Sequence, residues 1–332
     1  MANLTASYLG LELKNPLIVS SNPLTDSVAS VVRLEKAGAA AVVMRSIFEE
    51  QMNADTSGMV SALEGDSSMA ALEYLRANLP GQFGPEKYIE KLKAMRQSVG
   101  IPVIASINCV EAANWVGYAK KLEHAGASAL ELNLYHMPVD PNETSSDVEA
   151  RRLAAVKAVL AAVKVPVTVK LSNHYTSLLS FTRMLDAAGV RGIVLFNRFL
   201  QTLVNAETET IYYAPDYSSP KVLHSQLRWT AVIRDWVRCS LALSGGIHSG
   251  DDLAKALLVG ADVGYICSVL HVRHSLSAIQ EILEGLSAWM DRKGYESIAD
   301  FRGKLRESNL KNGSGFERMQ YVKAAAKAHH TE

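Results

Sequence analysis

One pattern recurs along the chain: an amphipathic helix, then Ala-Gly or Val-Gly, then a short apolar strand. It is written as RLEKAGAAAVVMRS, KKLEHAGASALELNL, MLDAAGVRGIVLFN and ALLVGADVGYICS. The glycines, Gly38, Gly126, Gly189 and Gly260, fit the position just past a helix, where the chain turns left-handed before entering a strand. The copies are unequally spaced, which points to helix-to-strand units carrying insertions and not to a solenoid of fixed period. Four more apolar strands are PLIVSS, PVIASIN, PVTVKL and SLALSGG. Such nearly continuous apolar runs suit strands buried on both faces of a parallel sheet. Alternating strand and helix eight times predicts an α/β fold, a (β/α)8 TIM barrel, over an open sheet.

The extras are as informative as the repeat. Residues 3–15, NLTASYLGLELKN, read as a hairpin turning near Gly10, suited to plugging the barrel bottom. Segments 47–83 after the second strand and 199–224 after the sixth are too long for ordinary βα loops. With 135–147 after the fourth strand, they are expected to be lids on the catalytic face. In that last segment Ser146 and Glu149 read as a capping box for the helix that follows. The tail, 295–332, reads as helical and charged, packed outside the barrel.

The 332 residues, 48 % of them hydrophobic, are expected to form one domain. Thirty-four basic residues balance thirty-four acidic ones, so no global field gathers nucleic acid or an acidic membrane surface. Near-zero net charge also does little to keep subunits apart, which favours a homodimer. Cys109, Cys239 and Cys267 are far apart with no CxxC pair, so neither a disulfide framework nor a metal site is expected, and a reducing cytoplasm is the natural compartment. No window reaches the ~18 apolar residues of a membrane span, and the amino terminus lacks a signal pattern.

In this architecture active sites form at the carboxyl ends of strands. Read in order, those ends carry Ser20 and Ser21, Arg45 and Ser46, Asn108, Asn133 with His136, Lys170 with Ser172 and Asn173, Asn197 with Arg198, Gly245 with Gly246, and Cys267 with Ser268. The ring holds amides, cations and hydroxyls but no carboxylate, which suits an anionic, hydrogen-bonding ligand better than a metal ion. Gly245 and Gly246 after strand seven, with Cys267 and Ser268 after strand eight, suggest a phosphate site helped by the dipole of a following short helix. A tight turn alone would also use a glycine pair. Lys170 ends an apolar strand and must reach the barrel mouth or leave its ammonium in a dry place. Asn108, Asn133 and Asn197 can pair with a flat heterocycle carrying donors and acceptors, or simply satisfy carbonyls.

These residues, in this order, resemble the dihydroorotate dehydrogenase family of FMN-dependent barrels. The stretches that carry the resemblance are NPLIVSS, ELNL, TVKL, LSGGIHSGDDLAKALLVGADVGYICSVL and KGYESIADFRGKL, the last of which looks like the soluble class 1 branch. The resemblance implies FMN as cofactor, a small-molecule substrate, and Lys170 as the cation beside the flavin. It also implies a base after the fourth strand that removes a proton from C5 of dihydroorotate while hydride leaves C6. His136 falls where class 1 has its cysteine base. An imidazole can take a proton at neutral pH without first ionising, unlike a thiol. The other reading of His136 is a solvent-facing bystander.

The sequence departs from the family in the substrate shell. Arg45 stands where the family has lysine, Arg198 where a serine or threonine follows the asparagine, and SALEGDSSMAALEYL lacks the family's asparagines. The expected activity is therefore oxidation of dihydroorotate or a related dihydropyrimidine or unsaturated acid. The alternatives are a non-catalytic or differently specific FMN- or phosphate-binding barrel, and a flavin-free isomerase or aldolase. With no iron–sulfur cysteine set or dinucleotide glycine motif, electrons are expected to pass to a small oxidant or a partner subunit.

Overall fold

The computed structural model describes residues 2–49, 84–110, 112–134, 137–197, 202–212 and 217–309. A hairpin of β1 (Ala6–Tyr8) and β2 (Leu11–Leu13) precedes the barrel strands β3 (Leu17–Val19) and β4 (Ala41–Val43). The short β5 (Ile47–Phe48) follows, then β6 (Val103–Asn108), β7 (Ala129–Asn133), β8 (Val167–Leu171) and β9 (Gly192–Leu195). A second hairpin, β10 (Leu203–Asn205) and β11 (Thr210–Tyr212), precedes β12 (Ser240–Ser244) and β13 (Val263–Ile266). The barrel runs β4-β3-β13-β12-β9-β8-β7-β6, every pair is parallel, and β4 also pairs with β6, which closes it. The eight-stranded barrel expected from the repeat is present.

The described helices are α1 (Val28–Lys36), α2 (Pro85–Ser98), α3 (Ala112–His124), α4 (Ser145–Ala162) and α5 (Leu178–Ala188). They continue with α6 (Leu223–Arg234), α7 (Gly250–Leu258), the short α8 (Ser268–Val272) and α9 (Ser277–Lys293). The four repeat glycines all have positive φ, from 92° at Gly126 to 108° at Gly38, as a left-handed exit from a helix requires.

The amino-terminal hairpin does plug the barrel. Its turn places Leu9 at φ 59° and Gly10 at φ 83°, the two positive angles of a type I′ hairpin turn. A leucine pays ~1 kcal/mol or more for that backbone, and burial at the barrel bottom offsets it by about 2 kcal/mol. Leu9 and Tyr8 are both 1 % exposed and pack with Ile18, Ile104, Val194 and Val263 in a cluster inside the barrel. The Tyr8 hydroxyl shares hydrogen bonds with Thr168 Oγ1 and with the Tyr265 hydroxyl, each 3.2 Å.

Three expectations about the extras change. The capping box of α4 is formed by Thr144 and Asp147, not by Ser146 and Glu149. The helix starts at Ser145 because the threonine side chain reaches the N–H three residues on, so the segment 135–147 ends inside a helix. The segment 47–83 opens with β5, which pairs with β6, and residues 50–83 lie outside the described residues. In the tail, residues 295–309 form short 3-10 turns in place of a helix, held by Phe301, which is fully buried against the Trp289 and Tyr295 rings. Residues 310–332 lie outside the described residues.

Gly192 lets the plug seat. A Cβ there would stand 2.4 Å from Leu9 Cδ2 and 3.0 Å from Thr168 Oγ1. Gly192→Ala is expected to cost about 1–3 kcal/mol through overpacking, and Leu9→Ala to cost less in that background than in the parent. Denaturant melts of the two single variants and the double variant measure the coupling; strict additivity would show that the plug does not press on Gly192.

Candidate functional site

The site is set by strand register. Along β6, β7 and β8, Ser106 lies beside Glu131, Glu131 beside Thr168, and Asn133 beside Lys170. Because side chains alternate with a period of two, Ser106, Glu131 and Thr168 share one level of the barrel interior. Asn133 and Lys170 stand one pleat higher, at the mouth. The buried Lys170 donates from Nζ to Ser20 Oγ at 3.3 Å. Asn108 Nδ2 donates to the Asn133 carbonyl and Asn197 Nδ2 to Asn133 Oδ1, both at 2.8 Å. The three asparagines are therefore one linked set, as their positions suggested.

Next to this set is a cavity of about 430 Å³ over the exits of β8, β9, β12 and β13. Of the residues expected at the site, Ser20, Ser21, Lys170, Asn173, Asn197, Gly245, Gly246, Cys267 and Ser268 line it. Arg45, Ser46, Asn108 and Asn133 are not among its lining residues: Arg45 is half-buried at the exit of β4, Ser46 shares a 3.2 Å hydrogen bond with the lining Ser21, and Asn133 is bonded to the lining Asn197. His136 and Arg198 lie outside the described residues. Two lysines, Lys170 and Lys221, and two histidines, His174 and His248, face the cavity, while no carboxylate is among its described lining residues. Such a wall favours an anion.

The far end of the cavity is built by residues the sequence reading did not single out. Gly246 N–H donates to Ser218 Oγ at 3.2 Å. Ser218 donates to Ser268 Oγ from its hydroxyl and from its N–H, each at 2.9 Å. His248 Nε2 lies 2.7 Å from the Ser218 carbonyl, which can only accept, so the imidazole carries its proton on Nε2. Ser218 belongs to the long segment after β9, and the signal for it was the SSP run that starts the helical turn before α6.

The glycine pair and its helix also differ in detail from the expectation. Gly246 has φ 83°, and a Cβ on it would meet the backbone N of Leu223 at 2.6 Å, so glycine there lets α6 begin against the loop. The helix after the pair, α7, is capped by its own Ser249 and carries Asp251 and Asp252 in its first turn, which uses up its dipole locally. The short α8, directly after Cys267, and α6, after the cavity-lining Val222, both begin without a side-chain cap.

Carboxylates do approach the mouth from below and beside. Glu131 is fully buried one level under Lys170, and desolvation raises its carboxyl above the ordinary 4.5 while Lys170 and the Ser106 hydroxyl oppose the shift. Its signal was a lone acid in the apolar run ALELNL, two residues before Asn133. Glu49, just past β5, accepts from the Val110 N–H and from Asn114 Nδ2. Burial pushes the Cys267 thiol up to about 11 against the pull of Lys170. It is therefore neutral at physiological pH and unsuited to nucleophilic attack.

The mouth thus offers a cation, a linked amide set and an anion-accepting end, on a barrel whose strand ends carry function. The sequence pattern described as dihydroorotate dehydrogenase matches residues 3–290. The chain is 24 % identical over 306 residues to the catalytic subunit of dihydroorotate dehydrogenase B (NAD(+)) of Thermoplasma acidophilum, spanning 91 % of this chain and 99 % of that protein. It is 25 % identical over 313 residues to dihydroorotate dehydrogenase A (fumarate) of Lactobacillus delbrueckii subsp. bulgaricus, spanning 92 % and 99 %. With a Methanosarcina acetivorans dihydroorotate dehydrogenase B (NAD(+)) catalytic subunit the identity is 27 % over 325 residues, 92 % and 96 % of the two chains. With nearly the whole barrel covered, the chain belongs to the dihydroorotate dehydrogenase family.

Proposed function

We propose that this chain is an FMN-dependent oxidoreductase that oxidises dihydroorotate or a related dihydropyrimidine or unsaturated acid. The observation that carries the reading is the cationic cavity with Lys170 at its inner end and the Ser218–Ser268–Gly246 cluster at the other. Those residues fit a flavin mononucleotide. The hydroxyl of Ser268 and the ammonium of Lys221 would take the phosphate, Gly246 holding Ser218 in place behind them, and Lys170 with Ser20 would face the ring. When bound, the flavin supplies a two-electron acceptor for hydride from a substrate carbon.

The chain's own residues do the rest. Lys170 holds a fixed positive charge where negative charge develops, and it needs no reorganisation because its ammonium is already anchored to Ser20. Asn133 and Asn197 orient the substrate through their amides, with Arg198 holding an acidic group and Arg45 standing behind. His136 takes the proton from the carbon adjacent to the one that gives up hydride. Arginines at positions 45 and 198 favour a substrate more acidic or larger than dihydroorotate, since a guanidinium forks onto a carboxylate. We place the enzyme in the cytoplasm as a homodimer of one-domain barrels, residues 1–332. Among the described residues no helix is long and apolar enough to cross a membrane.

Purified protein should be yellow, with the flavin band near ~450 nm, and anaerobic dihydroorotate or a more acidic analogue should bleach it. Ser268→Asp sets a carboxylate against the phosphate and should lower flavin content at least tenfold with the melting temperature little changed. A colourless parent removes the cofactor. A parent that stays yellow under all such acids makes the barrel a binding protein.

The base is tested separately. Bleaching should speed up as pH rises through one ionisation near ~6.5, because only neutral imidazole accepts the proton. His136→Asn should slow it by ~10²-fold or more with flavin retained. Stopped-flow reduction across pH measures both; a flat profile, or an Asn variant as fast as the parent, makes His136 a bystander.

A further inference from the structure

Beneath the mouth, Glu131 lies fully buried at mid-height of β7. Its Oε1 accepts from the Ser106 hydroxyl at 3.1 Å, while Oε2 is buried with no hydrogen-bond partner among the described residues. Ser106 Oγ is 2.7 Å from Ser46 Oγ, and Ser46 Oγ is 3.2 Å from Ser21 Oγ. Ser21 lines the cavity. The chain of hydroxyls is therefore unbroken from the buried acid to the ligand's side of the wall. The other titratable groups that bear on Glu131 are Lys170 from β8, Tyr88 from α2, Tyr8 from the plug and Tyr265 from β13. Burial raises all three tyrosines, which keeps them neutral, so Lys170 is the opposing charge.

A carboxyl kept only for packing would be expected to satisfy both oxygens, and an amide or apolar residue would sit there at less cost. Nor does packing require three serines in file, each able to accept and donate at once. We propose that Glu131, Ser106, Ser46 and Ser21 form a proton relay between the barrel interior and the binding cavity, with Glu131 as the store at its inner end.

The step balances as proton transfer alone. With the acid protonated on Oε1, the Ser106 hydroxyl turns to accept from it and to donate to Ser46 Oγ; the Glu131 proton then passes to Ser106 Oγ as the Ser106 proton passes to Ser46, that of Ser46 to Ser21, and that of Ser21 into the cavity. One proton leaves the carboxyl, one enters the cavity, and the resulting carboxylate faces the Lys170 ammonium. In the filled state Glu131 is neutral and Lys170 presents its whole charge to the cavity; in the emptied state the carboxylate cancels part of it. The relay therefore ties the proton content of the interior to the field felt by a bound group. This consequence rests on the flavin reading: electrons arriving in the cavity raise the proton affinity of Glu131 and draw a proton inward. Glu131 is a positioning residue in this scheme, acting through Lys170.

The purified protein is examined by infrared spectroscopy, whatever it has bound. Asp262 is also buried with a raised carboxyl, so the parent spectrum minus that of Glu131→Gln isolates the Glu131 proton. At pH values where an ordinary carboxyl is already ionised this difference should show the carbonyl stretch of a protonated carboxyl, and the band should fade as pH rises further, since an acid with a raised pKa holds its proton below that value and loses it above. In deuterium oxide the band should shift promptly in the parent and at least tenfold more slowly in Ser106→Ala and Ser46→Ala, with Ser106→Thr restoring the rate. Absence of the band wherever an ordinary carboxyl is ionised, or equal exchange in parent and Ser106→Ala, overturns the relay. In flavin-loaded protein the midpoint potential should show a break in its pH dependence where the band fades, and Glu131→Gln should lose that break. The same profile in both proteins overturns the coupling. A protein without flavin that still shows the band and its Ser106-dependent exchange refutes the flavin reading and keeps the relay.

Discussion

The registration of three neighbouring strands governs everything at the mouth of this barrel. In a closed parallel barrel each strand presents alternate residues inward, so a slip of one residue in β7 would move Glu131 and Asn133 outward among the helices and bring their apolar neighbours in. The register is set from below. Tyr8 bonds to Thr168 and Tyr265, and Leu9 fills the space left by Gly192. With the lower interior closed by apolar side chains, the levels above can be polar, which is where the hydroxyls, Glu131 and Lys170 stand.

A polar interior is tolerable only if its groups are matched. A buried ammonium without compensation costs several kcal/mol after relaxation, and the described bond from Lys170 to a serine hydroxyl offsets only part of that. Burial raises the Glu131 carboxyl, so this acid gives up its proton later than an ordinary carboxyl and opposes the lysine less readily. The remaining positive field points into the cavity, where Lys221 adds to it. An anion entering that space relieves a cost already present in the fold, which is how a stability defect becomes binding affinity. The neutral Cys267 thiol leaves that field intact, since a thiolate beside Lys170 would have cancelled it.

What was legible in the sequence follows from how many physical jobs a residue has. The repeat glycines have one job, a left-handed exit from a helix, and all four perform it. The linked asparagines and Lys170 were legible because polar side chains at the ends of apolar strands have few places to go except the mouth. Gly246 was harder: a glycine there can serve a ligand or a neighbouring backbone, and the 2.6 Å approach to Leu223 assigns it to the backbone. Glu131 was visible as a letter but not as a site, since only the register says that an acid two residues before Asn133 points inward. Ser218 was hidden because its place depends on a long excursion after β9, whose path no local pattern encodes.

That excursion has two ends with different physics. At one end, the β10–β11 hairpin carries exposed Val204, Ile211 and Tyr212, and its contacts are mainly its own ladder. At the other, Ser218 is tied by four hydrogen bonds to Gly246, Ser268 and His248, and Tyr217 stacks on His271 with centroids 5.1 Å apart. Bonds to the β12–α7 loop and to the start of α8 fix the chain where it forms the anion-accepting end, because displacing Ser218 would leave a buried N–H and carbonyl unpaired together. Among the described residues no hydrogen bond ties the hairpin to another loop. An insertion built this way can change its outer half, and with it what may approach the cavity, while the end that fits a phosphate keeps its geometry.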